Sequence, residues 1–295
     1  MAQYQELWNI FTDYGSAINN TPWPSLQGTA SVFNAQGRGG SGIRCNISAT
    51  ARQILAKAGE TAKTDADAVL LIGRHESTGT SLPSFLCVRS GGTSNANFSG
   101  YLAAVYNNTG TGGNNGDELR IGKYVSGTLT STLAVVSLPG HLTFPYFIRL
   151  RASGSNLMAK AWNLGAPEPA SWQATATDTD LSSGRIGPGF ANSGEYTFGP
   201  ISVGDGGDEP ISLNWVIEGS VFEAGPPGPN IPRVRTVRAI RRSNFRQRYE
   251  TVSLSDGSFR IPVFTSDAHT VYVLDELAGS YNALISDRIA PIPVA

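Results

Sequence analysis

The sequence predicts an all-β protein built from antiparallel sandwiches, and three observations support this prediction. Of the 295 residues, 40% are hydrophobic and only 15% are charged, with 34 glycines and 17 prolines. This composition favours many short strands joined by turns. Apolar and polar residues alternate along much of the chain, and clusters of Gly, Asn, Ser and Pro separate the alternating runs.

Strand-like runs follow one another from residue 66 onwards, whereas helical spacing is nearly absent. The best helical candidate is ATARQILAKAGE, where Ile54, Leu55 and Ala58 recur at helical spacing until Gly59 stops the pattern. The strand-like runs of the first two thirds of the chain are ADAVLLIGR, SFLCVRS, SGYLAAVYN, ELRIGKYVSG, LTSTLAVVSL, YFIRLRASG, NLMAKAWN and YTFGPISVGD.

Charge and cysteine content exclude several classes of protein. The chain has 22 basic and 23 acidic residues, so no global field favours nucleic acid or an anionic membrane. The N-terminal residues lack the pattern of a signal peptide, and no apolar run approaches the length of a transmembrane helix. Cys45 and Cys87 are too few for a disulfide framework, and both are expected to be small buried residues of strands. We therefore expect no nucleic-acid or membrane partner and folding in a reducing cytoplasm.

The composition changes at residues 203–212, VGDGGDEPIS, which is typical of a linker. We predict a first domain at residues 1–207 and a smaller β-sandwich domain at residues 208–295. In the second domain, Asp256 and Gly257 stand between alternating runs. Both residues tolerate positive φ, so the pair predicts a β-hairpin.

Residues 147–173, FIRLRASGSNLMAKAWNLGAPEPASWQ, predict two strands joined by a tight turn. In the first strand Ile148 and Leu150 share one face, opposite two arginines. In the second strand Leu157, Ala159 and Ala161 share one face, opposite Met158, Lys160 and Trp162. A loop stiffened by two prolines then leads to Trp172.

This region resembles the concanavalin A-like, laminin-G-like jelly rolls. The resemblance covers about residues 5–205, and its specific part lies at about residues 100–200. It implies a two-sheet antiparallel jelly roll in which one concave sheet often carries ligands. The stretches that carry it are GY, LRIGK, RLRASGSNLMAKAW, EPASW and SSGRIGPGF.

The C-terminal region resembles a different module, the carboxypeptidase-regulatory-like β-sandwich. Its ending, YNALISDRIAP, is similar to the close of such domains in tailed-bacteriophage virion proteins. Neither resemblance implies catalysis. The other stretches that carry this resemblance are EGSVFEAGPPGPNIPRVRTVRAI, TVSLSDGSFRIPV and HTVYVLDELAG.

Jelly rolls of this class include many glycoside hydrolases, so catalytic groups need separate consideration. A retaining glycosidase needs two carboxylates about 5 Å apart. The nearest acidic pair, Asp117 and Glu118, is adjacent in sequence, so a strand would point the two side chains to opposite faces. We expect this acidic pair at a solvated loop end. His75, His141 and His269 are far apart, and neither a serine elbow nor a phosphate loop is present. We predict that the protein is not an enzyme and has no cofactor.

A metal site is also not expected. Asp178 and Asp180, with Ser182 and Ser183 nearby, offer oxygen ligands that calcium accepts, and laminin-G-like jelly rolls sometimes hold calcium at a loop rim. However, this acidic pattern is common in simple turns. We favour a solvated turn.

Aromatic and amide side chains give candidates for glycan binding. Trp162 offers a flat face to a sugar ring, although packing against the sheets is the favoured alternative. Trp172 is interpreted as a structural plug under its proline-rich loop. Amides bind sugar hydroxyls as donors and acceptors, so the loop after Tyr106 is the better surface candidate, although it could simply be a long hairpin tip. The glycan-binding candidates are Tyr106, Asn107, Asn108, Asn114, Asn115 and Trp162.

A run of arginines in the second domain is a candidate docking surface. Arginine favours protein interfaces, whereas nucleic-acid binding would require more net charge. The alternative is an exposed strand whose charges discourage aggregation. The docking candidates are Arg233, Arg235, Arg238, Arg241 and Arg242.

These features predict a non-enzymatic structural protein of a tailed-phage particle, located in its tail, collar, baseplate, fibre or capsid surface and assembled in the host cytoplasm. Its expected partners are other virion proteins and host-surface glycans, and the assignment allows a homo-oligomer. The alternatives are a stand-alone carbohydrate-binding module and, third, a polysaccharide-degrading enzyme.

Overall fold

The computed structural model describes the backbone of a large part of the chain, and every structural statement below refers to that part. It comprises residues 4–6, 31–33, 43–47, 53–54, 61–77, 84–92, 97–106, 116–190, 194–223, 231–243, 248–274 and 284–294. All strand pairs in it are antiparallel. None of these residues forms a helix with the length and hydrophobicity needed to cross a bilayer. The all-β prediction is confirmed.

The first fourteen strands form two sheets that face each other, which we call the jelly roll. One sheet has the order β12-β11-β10-β5-β14-β3-β2, with β1 also paired to β14, and the other has the order β4-β13-β6-β7-β8-β9. The strands are β1 (Tyr4–Glu6), β2 (Ser31–Phe33), β3 (Ile43–Ile47), β4 (Gln53–Ile54), β5 (Ala66–Ser77), β6 (Phe85–Gly91), β7 (Ser99–Tyr106), β8 (Glu118–Val125), β9 (Thr128–Ser137), β10 (Tyr146–Ser153), β11 (Asn156–Asn163), β12 (Ala174–Thr177), β13 (Arg185–Phe190) and β14 (Gly194–Asp205).

Alternating apolar residues of both sheets form the core between them. Leu70, Ile148 and Leu157 come from the eight-stranded sheet, and Leu119 and Ile121 come from the six-stranded sheet; all five are fully buried. The predicted faces of β10 and β11 are confirmed, because successive strand residues point to opposite sides. Gly154, with a φ of 55°, turns the chain between these two strands.

The remaining strands form a smaller unit, which we call the C-terminal sandwich. Its main sheets have the orders β20-β15-β23 and β19-β18-β21-β22, and β16 pairs with β17. The strands are β15 (Trp215–Ser220), β16 (Phe222–Glu223), β17 (Ile231–Pro232), β18 (Thr236–Arg241), β19 (Arg248–Val252), β20 (Ser258–Val263), β21 (His269–Leu274), β22 (Leu284–Ile289) and β23 (Ile292–Pro293).

An apolar cluster joins the outer face of the eight-stranded sheet to the C-terminal sandwich. Among the described strands no ladder connects the two units, yet Val69, Leu71, Phe147 and Trp162 belong to the same buried cluster as the core of the sandwich. The boundary at residues 207 and 208 stays a prediction. The sandwich residues in the cluster are Leu213, Ile217, Val221, Val237, Ala239, Tyr249, Ile261, Val263, Phe264 and Val271.

One local prediction does not hold. Asp256 and Gly257 do not form a hairpin within one sheet, because the flanking strands β19 and β20 belong to different sheets. Of these two residues only Gly257 has a positive φ, 81°. Within the run ATARQILAKAGE, which has the clearest helical spacing, Gln53–Ile54 is strand β4, and the other residues of the run lie outside the described part.

Candidate functional site

The end of strand β7 and the start of strand β8 bring three polar side chains together on the outer face of the six-stranded sheet. Tyr106 lies directly across from Glu118, and the Arg120 guanidinium carbon lies 4.2 Å from the centre of the Tyr106 ring. The Arg120 Nε donates to Glu118 Oε2 at 2.9 Å. The Arg120 side chain is 36% exposed, so its guanidinium is fixed by two neighbours and still reaches solvent. We call this group the rim cluster.

The rim cluster rests on a buried apolar layer. Burial raises the pKa of Tyr106 to about 12, and the nearby Tyr124 adds to this, so the phenol is neutral at physiological pH. Asn107, Asn108, Asn114 and Asn115 lie outside the described residues, so their glycan-binding role stays a prediction. The layer beneath comprises Phe85, Cys87, Phe98, Leu102, Ala104 and Tyr124. As expected, Cys87 is a buried free thiol, and burial raises its pKa.

Asp117 is buried, so the expected solvated loop end is wrong. One of its carboxylate oxygens accepts from the Leu142 amide at 2.7 Å, and the other lies 2.9 Å from His141 Nδ1. The carboxylate thereby holds the turn that follows β9. Glu118 projects to the opposite face of the strand and pairs with Arg120, so this acidic pair does not share a cleft.

Trp162 is 5% exposed and stacks on Phe147 with the ring centres 5.2 Å apart. Both rings lie in the cluster that joins the two units. The glycan-binding candidacy of Trp162 is therefore wrong and the packing alternative is correct. A sugar could reach this ring only if the C-terminal sandwich left the sheet.

Next to Trp162, the same sheet face carries a buried ion network that the sequence did not reveal. Arg149 donates to both carboxylate oxygens of Asp67, at 2.9 and 2.7 Å, and to Glu168 at 2.7 Å. Lys160 donates to the same Glu168 at 3.1 Å. The Trp172 ring lies over both cations, 4.6 Å from Lys160 Nζ and 5.2 Å from the Arg149 guanidinium carbon. Trp172 is thus structural, and charge holds its loop to the sheet.

Asp178 and Asp180 lie in the expected turn, in which the Asp180 amide donates to the Asp178 carboxylate at 2.9 Å and the Asp180 side chain is 60% exposed. What the sequence did not reveal is an ion pair at this turn. Lys123 Nζ donates to both carboxylates at 2.5 Å, and the Tyr101 hydroxyl donates to Asp178 at 2.6 Å. Burial would raise the pKa of Asp178, but the hydrogen bonds from Lys123 and Tyr101 outweigh it and lower this pKa. The Lys123 ammonium lies where a cation bridging the two carboxylates would bind, so these residues do not fit a calcium ion.

Arg89 joins three loops at the end of the jelly roll that carries Asp178 and Asp180. It is 3% exposed and has a positive φ of 49°. Its guanidinium and Nε donate to three backbone carbonyls from different loops, those of Thr64, Gly154 and Leu181, at 2.7 to 3.0 Å. Nothing in the sequence run FLCVRS distinguishes this arginine from a solvent-facing one, so only the tertiary structure shows its role.

The predicted arginine strand lies partly on the outer face of the β19-β18-β21-β22 sheet. Arg238 pairs with Glu250 on β19, and Arg241 Nε donates to Asp267 at 2.6 Å. Both arginines therefore already have a carboxylate partner within the chain. Arg233, Arg235 and Arg242 are half-buried, and their docking role stays a prediction.

No triad of His, Cys, Asp or Glu in the described ranges is close enough to hold a metal ion. The acidic residues that the sequence offered as calcium ligands or catalytic carboxylates instead bind other groups of the same chain. The rim cluster is therefore the best candidate binding site on the jelly roll.

Comparison with known proteins gave only distant structural similarity. No family model and no curated protein matches the chain. The carbohydrate binding module CBM66 from Bacillus subtilis is 18% identical, with a TM-score of 0.43 over 60% of this chain and 92% of that one. The VIP36 exoplasmic/lumenal domain in its Ca2+/Man-bound form is 13% identical, with a TM-score of 0.45 over 64% and 84%. A Bacillus subtilis protein of unknown function with a galectin-like fold is 8% identical, with a TM-score of 0.44 over 68% and 98%. Similarity at this level says nothing about the ligand of this chain.

Proposed function

We propose that this chain is a carbohydrate-binding protein without catalytic activity, and that it binds glycans at the rim cluster of Tyr106, Glu118 and Arg120. The observation that carries the proposal is the fixed, partly exposed Arg120 guanidinium, held by Glu118 and the Tyr106 ring at the base of the asparagine-rich loop.

The rim cluster has the chemistry that a sugar needs. A guanidinium donates two parallel hydrogen bonds, which suit neighbouring hydroxyls, and a carboxylate accepts from a hydroxyl. Because the two groups already hold each other, binding costs little side-chain entropy. Residues 107–115, NNTGTGGNN, connect the two strands of the cluster and supply further amides by sequence.

The hydrogen bonds of the carboxylates support the proposed absence of catalytic activity. In the described residues Asp67, Asp117 and Asp178 all accept hydrogen bonds from intramolecular donors. A general acid or a nucleophile must have access to substrate, and these carboxylates are instead engaged by donors of the same chain.

The test is an array of bacterial and eukaryotic surface glycans, followed by calorimetry on the glycans that bind. Arg120→Ala and Tyr106→Ala should each reduce affinity by about tenfold or more. Arg260→Ala is a matched control, because Arg260 also forms a surface ion pair, with Glu218 at 3.0 Å, but lies in the C-terminal sandwich. Equal affinity of Arg120→Ala and wild type for every bound glycan would refute the rim site.

A structural role in a tailed-phage particle is a second candidate, favoured by the ending YNALISDRIAP. In this role the glycan site would contact the host surface, and the arginines of the second domain would dock on another virion protein. Mass spectrometry of purified particles is the decisive measurement. Assembly of the Arg238→Ser, Arg241→Ser and Arg242→Ser triple variant into particles at wild-type levels would exclude docking through these arginines.

A further inference from the structure

The C-terminal sandwich has an open groove of about 700 Å³ on the side where its two main sheets meet. Strands β19 and β20 border the groove, and each is the terminal strand of its sheet among the described residues. The lining residues are Glu218, Gly219, Ser220, Thr251, Val252, Leu254, Ser258, Phe259 and Arg260. The groove is far from the rim cluster in sequence and belongs to a different unit of the chain.

One wall of the groove presents two aliphatic side chains to solvent. Val252 is 56% exposed and Leu254 is 64% exposed. Between them Ser253 is buried, and its hydroxyl accepts from the Arg235 amide and donates to the Arg233 carbonyl, both at 2.8 Å. Because neighbouring residues of an extended chain point to opposite sides, this inward serine directs both aliphatic side chains outward.

The turn below this wall is held by its own hydrogen bonds. The Leu254 amide donates to the Ser258 carbonyl at 2.7 Å, and the Gly257 amide donates to the Leu254 carbonyl at 2.9 Å. The Asp256 carboxylate accepts from the amide and the hydroxyl of Ser258, and these bonds lower its pKa. The exposed aliphatic wall is therefore ordered before any partner binds, which reduces the entropy cost of binding.

The floor and the opposite wall supply an aromatic ring and both signs of charge. A Cβ on Gly219 would lie 2.6 Å from the Phe259 ring, so the ring lies across the backbone of strand β15 only because residue 219 has no side chain. Arg260 and Glu218 form a pair at 3.0 Å, and each side chain is about half exposed. The lining thus carries one guanidinium and one carboxylate, with no net charge.

We propose that this groove binds an extended segment of a partner protein that carries aliphatic side chains. Exposed valine and leucine would desolvate sugar hydroxyls without pairing them, and a lining with no net charge does not attract a polyanion. An extended segment matches both the aliphatic wall and the charged pair of the groove. Its aliphatic side chains cover Val252 and Leu254, and its main-chain carbonyl and amide groups form hydrogen bonds with Arg260 and Glu218. Terminal strands are the usual place for such a segment to add to a sheet.

The test selects binders from a library of random linear peptides displayed on ribosomes, using the full chain as bait. Affinities of the selected synthetic peptides are then measured by fluorescence anisotropy for wild type, Val252→Asp, Leu254→Asp and Val135→Asp. Val135 is the matched control, because it is 50% exposed on strand β9 of the jelly roll and receives the same substitution.

We expect the two groove variants to weaken binding by about tenfold or more and the control to change it by less than about twofold. Circular dichroism melting verifies that all variants are folded. The proposal is overturned if no peptide is enriched, if the selected peptides bind the groove variants and wild type equally, or if Val252→Asp abolishes glycan binding and leaves peptide binding intact.

Discussion

Charged side chains on the strands have different environments in the jelly roll and in the C-terminal sandwich. In the jelly roll, Arg149 and Lys123 are 7% and 9% exposed, and each donates hydrogen bonds to two carboxylates. In the C-terminal sandwich, the side chains of Arg238 and Arg260 are 24% and 49% exposed, and each pairs with a carboxylate on a neighbouring strand. Basic side chains thus form buried ion pairs in the jelly roll, whereas those of the C-terminal sandwich form ion pairs on its surface.

Loss of a charged side chain should therefore cost more stability in the jelly roll than on the surface of the C-terminal sandwich. A buried charge that loses its partner cannot regain water, whereas an exposed charge can. Among the described side chains of the C-terminal sandwich, the arginines are not fully buried, whereas His269 is, and this imidazole contacts the Tyr249 ring at 5.6 Å between centres. The predictions below test this contrast, beginning with the largest expected effect.

Replacing Arg149 by alanine should have the largest effect. The change leaves the Asp67 carboxylate buried without its two strongest donors, which should lower the free energy of unfolding by about 3 to 5 kcal/mol. Urea denaturation measures this value. Arg151→Ala is the control, because Arg151 follows on the same strand face, is 25% exposed and lies 3.9 Å from Asp67. Equal costs for the two variants would show that burial does not distinguish them.

Acidification should destabilise the protein through His269. Burial lowers the pKa of this imidazole to about 4 from an ordinary value of 6.5, so the unfolded chain binds a proton that the native state does not between these values. Stability is therefore full above pH 6.5 and falls as the pH decreases towards 4, by about 2 kcal/mol at pH 5.

Denaturation at pH 7.5 and pH 5 measures the effect, and His269→Gln should remove most of it. A pH dependence that survives in His269→Gln would assign the proton to another group.

Replacing Lys123 by methionine should make the jelly roll sensitive to calcium. The change frees the Asp178 and Asp180 carboxylates, which then offer calcium its preferred oxygen ligands. Millimolar calcium should raise the Tm of Lys123→Met by a few degrees and leave that of wild type unchanged. Lys63→Met is the control, because Lys63 binds a single carboxylate, that of Asp205 at 2.7 Å. A calcium response in wild type would contradict the assignment of this site to lysine.

The smallest effect is expected at Arg238. Its partner Glu250 is 46% exposed, so water replaces the pair when Arg238 is changed to alanine. The free energy of unfolding should fall by about 1 kcal/mol or less. Thermal melting measures the change, and a loss as large as that of Arg149→Ala would show that the outer face of this sheet is not a solvated surface.

The sequence alone determined the fold class and the faces of the long strands. In YFIRLRAS and NLMAKAWN the alternation of apolar and polar residues places Leu150 and Leu157 in the core and Arg149 and Lys160 outside it, as observed. Such patterns are local, because successive residues of a strand point to opposite sides whatever the strand pairs with. The buried thiol of Cys87 was predictable from its residue type, because cysteine behaves as a small hydrophobic residue and is usually buried.

What covers each outward face, and which strands share a sheet, depends on contacts that form only when the chain folds. Trp162 and Arg149 occupy the same face of the eight-stranded sheet, yet one packs under the C-terminal sandwich and the other binds Asp67 and Glu168. The pair Asp256 and Gly257 predicted a hairpin, but the chain crosses there from one sheet to another. Asp178 and Asp180 read as a turn, but they meet Lys123, which is more than fifty residues away. These outcomes depend on contacts between residues distant in sequence, and the spacing within a single run carries no information about them.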